Sequence, residues 1–239
     1  MTKQKLYFSM ESLFVFILLL FLVNNNVKSQ NSQVGIITKF TTSSKVVALT
    51  FDACETKTPS FLDSTILNFI LKEKLPVTFF LSGNFVKRNA KILNKLSVHN
   101  FLEFENHSFV HNQHSEKMKD SEFVEDLLST EMLIKSTTGR ETKFYRFPAG
   151  NANDEKVKLC QEKGYQVVHW TFPSGDPDKK VSADKLVKWV VSQTNPGSIL
   201  IFHINGRGYQ TGKALPIIID KLKKLNYSIK KLEDVINTN

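Results

Sequence analysis

VVALTFDACETK, residues 46–57, begins as a run of apolar and β-branched side chains and then meets a carboxylate at Asp52. Such a run is the pattern of a strand buried on both faces, as strands are in a parallel sheet flanked by helices. A carboxylate at the close of such a strand marks its end as a place where chemistry is done. Asp52 is therefore the first candidate site residue, and Ala53 beside it carries no polar group.

Further runs of strand character follow at 77–82 (VTFFLS), 101–105 (FLEFE), 143–147 (KFYRF), 165–170 (YQVVHW), 198–203 (SILIFH) and 227–231 (YSIKK), giving seven predicted strands. Helical patterns lie between them at 61–74, 84–97, 121–138, 154–164, 182–194 and 215–225. The punctuation agrees, with Gly164 ending one helix and Asn195-Pro196-Gly197 separating another from its strand. Alternating strand and helix predicts a parallel sheet, either open and doubly wound or closed into a barrel. The polar residues favour closure. Asp52, the pair His107 and His111, Arg146, Asp176 and His203 each fall at or just after the C-terminal end of a different predicted strand. That edge is where a β/α barrel gathers its catalytic side chains, whereas an open sheet collects ligands at one crevice. The expectation is a single α/β domain over residues 45–235.

The N-terminus has a different character. Lys3 and Lys5 precede an unbroken apolar run from Leu13 to Val23, with Ser29 at a plausible cleavage point. Eleven apolar residues are short for a bilayer span and suit the core of a secretory signal. Residues 1–29 are expected to be a signal peptide and 30–44 a linker, so that the working domain is secreted or periplasmic. Without residues 1–29 the balance is 29 Lys and Arg against 22 Asp and Glu, a net +7. A basic exported domain is suited to an anionic cell wall or membrane surface. Nucleic acid is not the expected partner, because the lysines lack interleaved aromatics. Cys54 and Cys160 are read as small buried thiols; a single disulfide would define no framework.

His107 and His111 stand four apart, the spacing at which two imidazoles on one helical face reach a single metal ion. Ser108 occupies the position where a zinc-protease H-E-x-x-H motif needs its glutamate. Taken in order, LTFDAC, NHSFVH, RFPAG, WTFPSGDPD and ILIFHINGRG with the later TGKALP resemble the polysaccharide deacetylases (NodB-homology, carbohydrate esterase family 4), in particular bacterial members carrying T-F-D-A-C. The resemblance implies a deformed (β/α)7 barrel and metal-assisted removal of N- or O-acetyl groups from a glycan such as peptidoglycan or a chitin-like polymer. It implies Asp52 as catalytic base, Arg146 as the group that orients and charges its surroundings, and His203 as general acid. His107 and His111 would hold a divalent metal, with zinc expected. On the substrate side it places Pro148 and Gly150 in a loop lining the site, Trp170 in its wall, and Asp176 at the acid that tunes the catalytic histidine.

The sequence departs from the family at Ala53, where many members have a second acid that is the third metal ligand. Three ways remain to hold a metal: the histidines with water and Asp52, compensation by Glu55, or weak binding. Residues on adjacent strand positions point to opposite faces, so Asp52 and Ala53 address one site only if the strand ends before them. A non-catalytic glycan-binding barrel with a degenerate metal site is the alternative to an enzyme. Retention of Asp52, Arg146 and His203 counts against it.

Overall fold

The computed structural model describes residues 35–55 and 57–236. The expected signal peptide at 1–29 and the start of the linker lie outside the described residues. Eight strands form one sheet: β1 Ile36–Ile37, β2 Val46–Ala53, β3 Val77–Leu81, β4 Leu102–Asn106, β5 Phe144–Tyr145, β6 Gln166–Val168, β7 Ile199–His203 and β8 Ser228–Lys230. Six helices separate them: α1 Ser64–Glu73, α2 Gly83–Leu96, α3 Asp120–Thr138, α4 Asp154–Glu162, α5 Ala183–Gln193 and α6 Thr211–Lys224. The strand order is β1-β6-β5-β4-β3-β2-β7, every pairing is parallel, and β8 joins the first residues of β2. The gap between β6 and β7 is crossed by a single bridge from Phe172 to Leu200 and by Thr171 N–H donating to the Ile199 carbonyl at 3.0 Å. This is the deformed (β/α)7 barrel the sequence led us to expect.

The structure departs from the expected elements in three places. Strand β1 falls in the expected linker; two residues are too few to show a period, and only pairing with β6 makes them a strand. Helix α6 starts at Thr211, so Pro216 lies inside it although proline favours a first turn. Strand β2 continues through Asp52 to Ala53 instead of stopping at Phe51, because Asp52 pairs with both Phe80 and His203 and Ala53 pairs with Leu81.

Alternation along β2 divides the core. Val47, Leu49, Phe51 and Ala53 join the cluster that packs the sheet against α1, α2, α5 and α6. Ala48 packs with Phe80, Phe144, Val168 and Ile199, one residue from each of five strands, which makes a layer inside the barrel. Asp52 lies four residues above Ala48 and faces the same interior. On β4 the interior positions are Glu103 and Glu105, since Phe104 packs outward. Glu103 accepts from Leu232 N–H at 3.0 Å and Glu105 from Phe144 N–H at 2.7 Å, so two carboxylates tie the C-terminal segment and β5 to the barrel floor. Burial pushes Glu103 up to about 7 and Glu105 well above the usual carboxylate range.

Candidate active site

Asp52 and His203 are register partners across the β2–β7 ladder, so both side chains reach the C-terminal rim together. Arg146 directly follows β5 and is fully buried beneath them. Its Nη1 donates to Asp52 Oδ1 at 2.7 Å and to Thr50 Oγ1 at 3.0 Å, Nη2 donates to the His169 carbonyl at 2.9 Å, and Nε donates to the Val168 carbonyl at 3.2 Å. The guanidinium also lies 3.9 Å from the centre of the Phe80 ring. Three strands thus fix one cation against one carboxylate. Burial alone would raise the Asp52 pKa, but the neighbouring Arg146 charge first, then His107 and His203 beside it, bring it down to about 2. The carboxylate is therefore ionised throughout the physiological range.

His203 forms the other half of the rim. Its Nδ1 lies 2.8 Å from Asp176 Oδ1, while Asp176 Oδ2 accepts from the His203 N–H at 2.7 Å and from the Thr211 hydroxyl at 2.8 Å. Burial works against the imidazolium, yet the hydrogen bond and charge of Asp176 outweigh it and set His203 above the ordinary histidine value. Asp176 is spent on this partner and on Ser174, whose hydroxyl donates to Oδ1 at 3.0 Å. It stands behind the histidine, not in the substrate wall. Replacing Asp176 with Asn removes the charge that sustains the imidazolium, so the His203 pKa falls. If His203 is the general acid, the alkaline limb of the turnover profile moves to lower pH, measured as rate against pH for wild type and Asp176→Asn. An unmoved limb would remove His203 from that role.

His107 and His111 do not share a helical face, as their spacing alone had implied. They sit in a loop after β4 in which Ser108 and His111 adopt left-handed φ values of 67° and 53°. The loop is held by its neighbours: Gly83 and Asn84 of α2 donate N–H groups to the Ser108 and Phe109 carbonyls at 3.0 Å, and Asp126 of α3 accepts from Phe109 N–H at 2.8 Å. The result still brings the imidazoles together, with ring centres 4.8 Å apart and edge to face. His107 Nδ1 bonds the Arg146 carbonyl at 2.9 Å, which fixes the proton there and leaves a lone pair on Nε2, 3.5 Å from Asp52 Oδ2. His111 Nδ1 is buried and has no hydrogen-bond partner among the described residues. Burial lowers the pKa of both rings, and burial together with the nearby His107 takes His111 down to about 3. Two neutral imidazoles, one braced from behind and one holding an orphaned nitrogen, fit a nitrogen-ligated divalent ion. Among the described residues no group of three His, Cys, Asp or Glu side chains is arranged to hold a metal.

Glu55 does not compensate. Its carboxylate is engaged by Arg88, through Nε and through Nη2 at 2.8 Å, and it accepts from Ser60 N–H at 3.0 Å. Ala53 is fully buried in the outer core, on the opposite face of β2 from Asp52. Cys54 and Cys160 are both buried free thiols, and burial, with the Asp52 charge beside it, pushes Cys54 up to about 11.

Above these groups opens a cavity of about 250 Å³ whose lining includes Asp52, His111, Trp170, His203, Ala149 and Arg207. Pro148 and Gly150 belong to a short 3-10 turn whose central residue, Ala149 at φ 57°, is the one that meets the cavity. Gly150 supports Trp170 from behind: at φ 74° a Cβ there would lie 2.9 Å from the indole. Two residues near the site escaped the sequence. His169 is buried, stacks on Trp170 at 5.3 Å and is held down at about 4, chiefly by burial and then by Arg146. Arg207 places an exposed guanidinium at the cavity. His169 also ends an apolar run, the signal that singled out Asp52 and His203, whereas Arg207 in a Gly-rich loop gave none.

The barrel rim thus sets a buried carboxylate, paired with Arg146, and a histidine–aspartate pair about one cavity. The polysaccharide deacetylase family matches residues 39–168, just over half of the chain, and the chain belongs to that family. It is similar to the peptidoglycan-N-acetylmuramic acid deacetylase PdaA of Bacillus subtilis, 29% identical over 204 residues that cover 82% of this chain and 73% of that protein. Among solved structures, a peptidoglycan N-acetylglucosamine deacetylase superposes with TM-score 0.78 at 25% identity, covering 85% of this chain and 94% of that one. A CE4 family pseudoenzyme from Bacillus anthracis gives TM-score 0.74 at 25% identity, covering 85% and 69%.

Proposed function

We propose that this chain is an exported, metal-dependent deacetylase acting on an N-acetylated glycan, with a peptidoglycan-type polymer as the favoured substrate. The observation that carries this is the placement of Asp52, locked to buried Arg146, opposite the His203–Asp176 pair across one cavity. Similarity to peptidoglycan and chitooligosaccharide deacetylases supports the substrate class.

His107 and His111 would hold a divalent ion, zinc being suited to two imidazoles, and such an ion supplies Lewis acidity toward the acetyl carbonyl and toward water. The chain does the rest. The acetylated sugar lies against Trp170 in the cavity. Asp52 takes the proton of the attacking water as its oxygen adds to the acetyl carbon. A carboxylate held near 2 is a weak base, so Arg146 trades basicity for permanent ionisation and fixed aim. His203, kept protonated by Asp176, delivers a proton to the departing amine nitrogen, and acetate leaves. Residues 1–29 act as the export signal, and 30–44 lead into the domain at 45–235.

The test is acetate release from peptidoglycan fragments and from chitin oligomers, with metal analysis of the purified protein and activity before and after chelation. Metal-dependent release from either substrate is expected. Glycan binding with no acetate release under any metal would favour the non-catalytic barrel, for which the missing ligand at Ala53 and the likeness to a pseudoenzyme are the motive.

A further inference from the structure

Helix α2 carries Lys87, Arg88, Lys91 and Lys95 and not one carboxylate. Arg88 is paired with Glu55, while Lys91 and Lys95 form no ion pair among the described residues. Lysines 87, 91 and 95 recur every four residues, so they line one side of the helix over about 12 Å. Beside them runs a groove of about 430 Å³ lined by Phe61, Arg88, Lys91, Ile92 and Lys95. Phe61 is 61% exposed, and the Arg88 guanidinium lies 5.8 Å from its ring centre. A phenyl ring left this open presents an apolar face of the size a sugar ring covers.

The elements that carry the groove also brace the catalytic rim. The first N–H groups of α2 hold the loop between His107 and His111, and Lys87 lies 4.7 Å from the ring centre of Phe109 in that loop. Phe61 belongs to the segment that leaves β2 just beyond Asp52, and Asp63, two residues on, donates its N–H to the Ile204 carbonyl next to His203 at 2.7 Å. The basic, aromatic-edged flank of α2 is thus anchored to the same loops that carry the catalytic rim.

We propose that this flank of α2, with Phe61, is an accessory track that binds an anionic glycan polymer, one bearing carboxylates or phosphates along its chain. The inference deepens the deacetylase proposal by giving its polymer a charge. Lysine ammonium groups with no ion-pair partner among the described residues attract such a chain, and the ring provides a stacking platform. A lipid surface suits the groove less well, since membrane docking needs a continuous apolar face and the groove offers one open ring beside a half-exposed isoleucine.

The experiment measures binding of the purified protein to polygalacturonate, to a glycerol-phosphate polymer, to neutral dextran, and to vesicles of mixed phosphatidylcholine and phosphatidylglycerol. Binding to one or both anionic polymers is expected, weakening as salt rises, with little affinity for dextran. Lys91→Gln/Lys95→Gln should weaken it roughly tenfold and Phe61→Ala roughly threefold. Lys158→Gln/Lys163→Gln, the same change in charge on α4 and the residue that follows it, should alter it less than about twofold. Melting curves confirm that each variant is folded. Equal loss in the α4 control, absence of polymer binding, or vesicle binding that alone depends on Phe61 would each overturn the track. Acetate release from a chitin trisaccharide runs alongside: protein that binds through these lysines but releases no acetate keeps the track and loses the reaction.

Discussion

Asp52→Asn lowers acetate release by roughly two to four powers of ten, the range for losing a general base. The amide keeps an acceptor for Arg146 Nη1 but cannot take a proton from water. It also removes the only carboxylate paired with a fully buried guanidinium among the described residues. Breaking one side of a buried ion pair costs about 3–5 kcal/mol, and the retained acceptor reduces this to about 2–4 kcal/mol. The expected result is a folded protein with a visibly lower melting temperature and almost no turnover. Both must be measured, because a rate loss that merely tracks unfolding would vanish at low temperature. An Asn variant within tenfold of the wild-type rate, assayed where both are folded, would remove Asp52 from the base position.

Ala53→Asp does not restore a metal ligand. The side chain of residue 53 leaves β2 on the face opposite Asp52, among the apolar residues that pack the sheet against its helices, and is completely covered. A carboxylate there has no cation or donor to meet, and burying it unpaired costs about 3–5 kcal/mol or forces it to stay protonated. Urea unfolding should show the loss, and Ala53→Ser, which adds a smaller neutral group, should lose much less. A chelator-competition titration is the companion measurement, with no tightening of metal binding expected. If the Asp variant were as stable as wild type and held its metal more tightly, β2 would have to end earlier than it does here.

The residues of the site were legible because a parallel strand buried on both faces tolerates polarity only at its ends. Asp52, Arg146 and His203 each interrupt or close an apolar run, and that alone placed them on one rim. Helix ends were legible in part: the reading ended α3 at 138, where Gly139 at φ 70° stops it, but began α1 at 61, ahead of its cap Asp63, whose carboxylate accepts from Thr65 N–H at 2.8 Å.

Contacts across the barrel carry no sequence period, and those the tertiary structure decided. The spacing of His107 and His111 suggested a helix, yet hydrogen bonds from α2 and α3 hold a loop with two left-handed residues. Glu55 was open as a ligand until Arg88, thirty-three residues away, claimed it. Strand β1 exists only because β6 is there to pair with it. Ala53 is the sharpest case. Its identity was plain in the sequence, but the face it occupies depends on where β2 stops, and the ladders with β3 and β7 fix that point. Local chemistry thus named the groups on the rim, and long-range pairing, whose partners no short window contains, decided which of them meet.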